Sequence, residues 1–346
     1  MDFALFSHVP WPEGVDPKQV YDDITEEFVL GEELGFKSAW MAEHHFTRYG
    51  LGAAPNVLAS HIVAHTSTLR IGSAVFVSPL HLPARLAEEI ATLDVLSGGR
   101  IDVGFGRGAA SSEYKVADVP LDESQQRFQE SITMIEGLWT TKNYSFEGQH
   151  YKITNANLVP QPVQNPHPPM YIAATRTKAT QDFVAGSGHP LIIGVVLDTE
   201  DAMSLCHTMI DLAKAKGNNM SMGQIPFFRY FYVAETEDQA RADAKPALDW
   251  NIDMIQWRRT FDTGSEVWEK MEDFRNTRTE LPPSFEYLYE NRAFIGTPDQ
   301  IIAKIKALRD EGIEFFGCNF SFGGMPQEKV LKSMRLFAKE VMPAFK

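Results

Sequence analysis

The chain has 346 residues, 44% hydrophobic and 23% charged, a composition that excludes a disordered chain and supplies apolar surface for a large core. Its 32 Lys and Arg stand against 46 Asp and Glu, and the resulting formal charge of -14, with no basic patch to offset it, excludes a nucleic-acid partner. Cys206 and Cys318 lack zinc or disulfide spacing, and the N-terminus has neither a signal peptide's apolar run nor any later stretch of about 18 apolar residues, so a cytoplasmic protein outside the membrane is expected.

Short apolar runs alternate with amphipathic stretches from end to end, the pattern of repeated βα units over a parallel sheet. Phe3 to Ser7 predicts strand one, Asp16-Pro17 opens a helix that Gly35 closes, and Ser38 to Ala42 predicts strand two. A helix over Ala54 to Thr66 leads to strand three, Arg70 to Val77. Pro83 then opens a helix ending at Gly98-Gly99, before strand four, Arg100 to Phe105. After a helix over Ser124 to Thr140, the polar, Pro-rich stretch 143–169 reads as an insertion. Met170 to Ala174, Leu191 to Val196, Pro226 to Ala234 and Glu314 to Phe320 supply strands five to eight, and Gln327 to Val341 the last helix. Eight strands predict a single (β/α)₈ TIM barrel with insertions over 1–346, with a doubly wound sheet as the alternative. Charges, Gly264 and Pro282-Pro283 mark 261–292 as a mobile lid.

Active sites of such barrels lie at the carboxyl ends of the strands, so the residues following each strand are the candidates. After strand two, Glu43, His44 and His45 put an acid and two imidazoles at the mouth. His44 reads either as a packed histidine bonded to Glu43 or as a general base, and its place in the strand order raises the second reading. No zincin pattern or ligand set accompanies these residues, nor His61 and His65, so no metal is expected. After strand three, small residues including Ala74 and Val75 suit either a wall for a flat ring or a plain buried strand. Gly104 to Ala109 superficially resembles a dinucleotide fingerprint, but three units precede it and no acid follows about 20 residues later. Its glycines, Gly108 included, instead permit close backbone approach, while Arg107 offers a rigid fork to a phosphate or carbonyl edge. Arg127 adds a second charge or pairs with a neighbouring glutamate. After strand five, Ala174-Thr175-Arg176-Thr177 opens a helix and makes either a phosphate site or a simple N-cap.

With these residues in view, the chain resembles the bacterial luciferase α subunit and the luciferase-like flavin monooxygenases from end to end. The stretches that carry the resemblance are Trp40 to Thr47, Gly99-Arg100 to Arg107-Gly108, Ile295 to Pro298, and Ser333 to Pro343. The resemblance implies a barrel that binds reduced FMN as cosubstrate, reacts it with dioxygen through a C4a-hydroperoxide, and oxygenates a small organic substrate. His44 matches the family's catalytic histidine, Glu113 an acid near the site, and Trp250 an aromatic near the flavin. Ala74-Val75 matches a cis peptide under the ring, and Arg107, Arg127 and Thr175 to Thr177 match the phosphate positions. Glu43 or Glu113 is expected to orient His44. Reduced flavin is expected from a separate NAD(P)H:flavin reductase, and a homodimer is implied, His45 and Glu88 matching a pair that meets across it. Gly106 stands where the α subunit has a reactive cysteine, and Thr175 and Arg176 where it has an acid and a serine, so neither light emission nor aldehyde specificity carries over. A deazaflavin-dependent hydride transferase and a flavin-storing protein are the other readings.

Overall fold

Strand-length apolar runs separated by helix-length amphipathic ones can bury their backbone only as parallel strands under crossover helices. The structure, a computed structural model, describes residues 1–261 and 268–346. Its strands are β1 (Asp2–Ser7), β2 (Ser38–Met41), β3 (Arg70–Val77), β4 (Ile101–Gly106), β5 (Tyr144–Glu147), β6 (Lys152–Ala156), β7 (Met170–Ala173), β8 (Leu191–Ile192), β9 (Phe227–Val233), β10 (Ala293–Gly296) and β11 (Phe315–Asn319). The helices are α1 (Pro17–Leu34), α2 (Pro55–His65), α3 (Pro83–Ser97), α4 (Ser111–Val116), α5 (Ser124–Thr140), α6 (Lys178–Ser187), α7 (Thr199–Ala215), α8 (Glu237–Arg258), α9 (Met271–Thr277), α10 (Phe285–Asn291), α11 (Pro298–Asp310) and α12 (Gln327–Leu336).

Helix boundaries follow local chemistry. Asp16 caps α1 by accepting from the Lys18 amide, and Gly35 ends it at φ 90°, a conformation that costs a side chain dearly. Thr297 and Gln300 cap α11 reciprocally.

The nine-stranded sheet runs β10-β9-β11-β1-β2-β3-β4-β7-β8. Its named pairs are all parallel. Ile193, just past β8, bridges Phe227 at the start of β9 and closes the ring, which rules out the open doubly wound alternative. Tyr230 pairs with Asn319 on one flank and Ala293 on the other, so β10 is a ninth strand beside the outer half of β9. Sequence reading missed β10 because this four-residue run directly follows the irregular 261–292 stretch. It also drew strand six too long: the chain leaves the sheet after Ile193, and the Gly194 carbonyl accepts from the buried Arg229 guanidinium instead. The last helix loses α geometry at Phe337 and continues to Val341 as a π-helical turn.

The antiparallel hairpin β5–β6 lies within 143–169. Of the stretch 261–292 expected to form a lid, α9 and α10 are described and residues 262–267 lie outside the described residues. The core fills the ring and its helix-facing surface, with Trp40, Phe105, Phe227, Phe228, Phe231 and Phe316 fully buried. Among the described residues no helix is long and apolar enough to cross a membrane.

Candidate active site

Parallel strands deliver their next residues to one end of the ring, so residues distant in sequence meet there. β1 is followed by His8, β2 by Glu43 and His44, and the loop after β4 leads to Glu113 on α4, while α8 ends at Arg258. His44 Nδ1 lies 3.4 Å from Glu113 Oε1, and Arg258 Nη1 donates to the same nitrogen at 3.2 Å. The His8 ring stacks 5.9 Å from that of His44 at 21° between planes. Tyr49 bonds His8 Nε2 through its hydroxyl at 3.0 Å, and the Arg258 guanidinium sits 4.6 Å over the Tyr49 ring.

Burial and the Arg258 charge hold the His44 pKa below the usual imidazole range, against the upward pull of Glu113. Burial would raise Glu113, but His44, Arg258 and the His45 amide, which donates at 3.2 Å, outweigh it and keep Glu113 ionised. His8 is pushed well down by burial and by the neighbouring His44 and Arg258, and burial pushes the Tyr49 phenol up to about 12. One His44 nitrogen therefore faces a carboxylate that favours its protonated form and a guanidinium that favours its bare form. Such a group can gain or lose a proton with little movement.

The structure brings Glu113, not Glu43, to His44. The Glu43 carboxylate turns the other way, accepting from His45 Nε2 at 2.6 Å, His81 Nε2 at 2.8 Å and the Val77 amide at 3.0 Å. These bonds fasten the loop after β2 to the end of β3. They outweigh burial, which alone would raise the carboxyl, and hold it down at about 2. His45 is thus engaged within its own chain, while the half-exposed Glu88 lies 3.6 Å from Arg85.

At the same end of the ring the backbones of β3 and β4 pack closely because glycines leave room for their neighbours. The Ala74–Val75 peptide is cis, and the β3–β4 register breaks between Ser73 and Phe76. A Cβ on Gly104 would lie 2.3 Å from the Ser73 carbonyl oxygen, and one on Gly108, at φ +73°, 2.6 Å from Val77. Arg107 donates to Ser124 Oγ at 2.9 Å, and Arg127 is held by Glu123 at 2.7 Å. Thr175, Arg176 and Thr177 are exposed at the start of α6, next to buried Ala174, and Thr177 makes no capping bond. Thr180 of α6 donates to Gln125 of α5 at 2.8 Å, tying the Arg127 helix to that N-terminus.

Trp250 packs with Tyr49, Met254, Trp257, Phe261 and Met271, and its buried indole N–H has no partner. Sequence reading missed His8, Tyr49 and Arg258. His8 follows β1 as His44 follows β2, a signal available from the strand order. Arg258 is the last residue of a 22-residue helix and carries no such signal.

Residues 1–314 match the luciferase-like monooxygenase family. Over 100% of this chain and 96% of its own length, the oxygenase component of the flavin-dependent trigonelline monooxygenase of Acinetobacter baylyi is 28% identical. The alkanal monooxygenase alpha chain of Photorhabdus luminescens is 26% identical over 92% of this chain and 89% of its own. Among solved structures, monooxygenase RslO1 from Streptomyces bottropensis superposes with a TM-score of 0.87 at 25% identity, each chain covered completely. The coenzyme F420 dependent tetrahydromethanopterin reductase of Methanopyrus kandleri shares the fold, with a TM-score of 0.74 at 19% identity over 100% of this chain and 99% of its own. With a match spanning nine-tenths of its length and a closed parallel ring to carry it, this chain belongs to the luciferase-like monooxygenase family.

Proposed function

We propose that the chain is the oxygenase of a two-component monooxygenase that takes reduced FMN and dioxygen to oxygenate a small organic substrate. The observation that carries this reading is His44, held between ionised Glu113 and Arg258 at the end of the ring where the glycine-rich ends of β3 and β4 also lie. The close-packed backbone at those strand ends would accept a flat ring, and two buried polar atoms at the mouth lack partners: the Trp250 indole N–H and Asn319 Oδ1. Arg107, Arg127 and the backbone N–H groups of Thr175 to Thr177 at the start of α6 would hold the phosphate, with Gly108 allowing the chain to approach. When bound, reduced flavin supplies the electrons that activate dioxygen. With Nδ1 engaged by Arg258 and Glu113, His44 holds and moves its proton at Nε2, Glu113 orients the ring, and Arg258 keeps the imidazole neutral between transfers. Residues 268–292 act as the lid that excludes water, fixed to α8 where Arg275 pairs with Asp253 at 2.7 Å. A separate NAD(P)H:flavin reductase delivers the flavin, and the working form is a homodimer.

The test is stopped flow: protein and reduced FMN are mixed anaerobically, then with oxygenated buffer, while the flavin spectrum is followed. Reoxidation that passes through a species distinct from both oxidised and reduced FMN is expected, and His44→Ala should change its decay while leaving FMN affinity intact. Reoxidation indistinguishable from that of free FMN refutes the proposal.

A further inference from the structure

A cavity of about 170 Å³ lies between α1, the loop after β1 and the start of α12. His8 turns away from it, toward Tyr49 and His44, so the cavity lies on the other side of the β1 terminus from the active site. Its lining is mostly apolar, with Val20, Ile24 and Met325 among the walls, yet Glu27 of α1 also lines it. Glu27 is fully buried, and neither carboxylate oxygen has a close hydrogen-bond partner, the Ser321 hydroxyl being a group that pulls its pKa down. An unpaired acid in such a place costs several kcal/mol unless protonated or matched by a cation, so the site holds either a proton or a cation. No lysine or arginine lines the cavity among the described residues. Ser7 and Ser321 also line it and bond each other at 3.1 Å; with Ser7, which accepts from the Val9 amide at 2.9 Å, donating to Ser321, each oxygen keeps one lone pair for a donor.

We propose that this cavity binds a small aliphatic ammonium ion, its head on the Glu27 carboxylate and the Ser7 and Ser321 oxygens, its hydrocarbon against Val20, Ile24 and Met325. Burial, aided by Asp23 one turn earlier on α1 and opposed by the Ser321 hydroxyl, pushes Glu27 up to about 8. At pH 7 the empty cavity therefore carries a proton that the ammonium ion must displace. Binding therefore releases most of a proton per site at that pH. A neutral alcohol of equal length releases none.

Calorimetric titration of the whole protein with n-butylammonium chloride at pH 7, in two buffers of different ionisation enthalpy, measures both quantities. Saturable binding with that proton release is expected, with n-butanol failing to compete. Glu27→Gln, which keeps the shape of the protonated acid, should weaken binding at least tenfold without changing the melting temperature. No saturable heat, binding without proton release, equal competition by n-butanol, or unchanged affinity in Glu27→Gln would each overturn the proposal. The wild-type titrations decide it even if the variant fails to fold.

Discussion

Replacing Glu43 by Gln should cost stability rather than chemistry, and the loss can be worked out two ways. The carboxyl lies at about 2 against an ordinary 4.5, which at about 1.4 kcal/mol per unit is about 3 kcal/mol of preferential stabilisation of its ionised form. Breaking one member of a buried charged cluster independently suggests about 3–5 kcal/mol. The carboxylate accepts from two imidazoles and one amide, and a glutamine keeps only one accepting oxygen. Because the folded pKa is depressed, this stability is present above 4.5 and is lost as pH falls through about 2. His45 works with the opposite sign. Burial lowers it, but the Glu43 contact wins and raises it above 6.5, so its contribution is full below 6.5 and is lost as pH rises through the folded value. The pair therefore stabilises most between 4.5 and 6.5. Urea unfolding of wild type and Glu43→Gln at pH 5.5 should differ by about 3 kcal/mol, and the gap should narrow progressively toward pH 3. A difference below about 1 kcal/mol at pH 5.5, or one that does not narrow in acid, would refute the reasoning. Lost turnover at unchanged stability would return Glu43 to the place beside His44 that the sequence suggested.

Glu113→Gln and Arg258→Met should move His44 in opposite directions. The first removes the group that raises its pKa and the second the charge that lowers it, so the acid limb of the activity profile shifts to lower and higher pH respectively, which pH–rate curves will show. Gly104→Ala places a methyl group 2.3 Å from the Ser73 carbonyl oxygen, a backbone atom that cannot rotate away; thermal unfolding should show a loss of about 1–3 kcal/mol. Asp253→Asn removes the shared partner of Arg275 and Arg278 and should speed limited proteolysis within 268–292, with the barrel left resistant.

The fold was legible because each ring strand is an apolar run bounded by recognisable helix signals, such as Asp16-Pro17 and Gly35 around α1 or Pro83 and Gly98 around α3. What escaped was set by tertiary pairing. β10 is four residues long and owes its strand geometry to a place beside the outer half of β9. β8 stops early because Arg229, buried from a strand more than thirty residues later, takes the Gly194 carbonyl that a longer ladder would have used. Neither cause is written in the local sequence, so the strand count of the ring sheet came within one and the end of β8 alone was misplaced by more than one residue.

The site was legible by a different route, and its one reversal has a geometric cause. Strand order alone placed Glu43 and His44 together at the mouth, but neighbours just past a strand point to opposite sides of it. His44 therefore faces the ring axis, where β1 delivers His8 and α4 delivers Glu113, while Glu43 faces β3 and is consumed by Val77, His45 and His81. An acid next to a histidine in sequence is on that account the less promising partner, and the useful one must arrive from another strand or helix. Glu113 does so from 69 residues away and Arg258 from 214, the separation over which His44 receives its donor. If alternation governs the choice, removing each acid in turn should tell. The single change Glu43→Gln, which removes only a weaker through-space pull, moves the acid limb of activity less than Glu113→Gln, which removes the bonded acid. Equal movement in both would mean that the buried Glu43 cluster acts on His44 through space as strongly as the bonded acid, and that facing direction past the strand end does not decide which acid serves the imidazole.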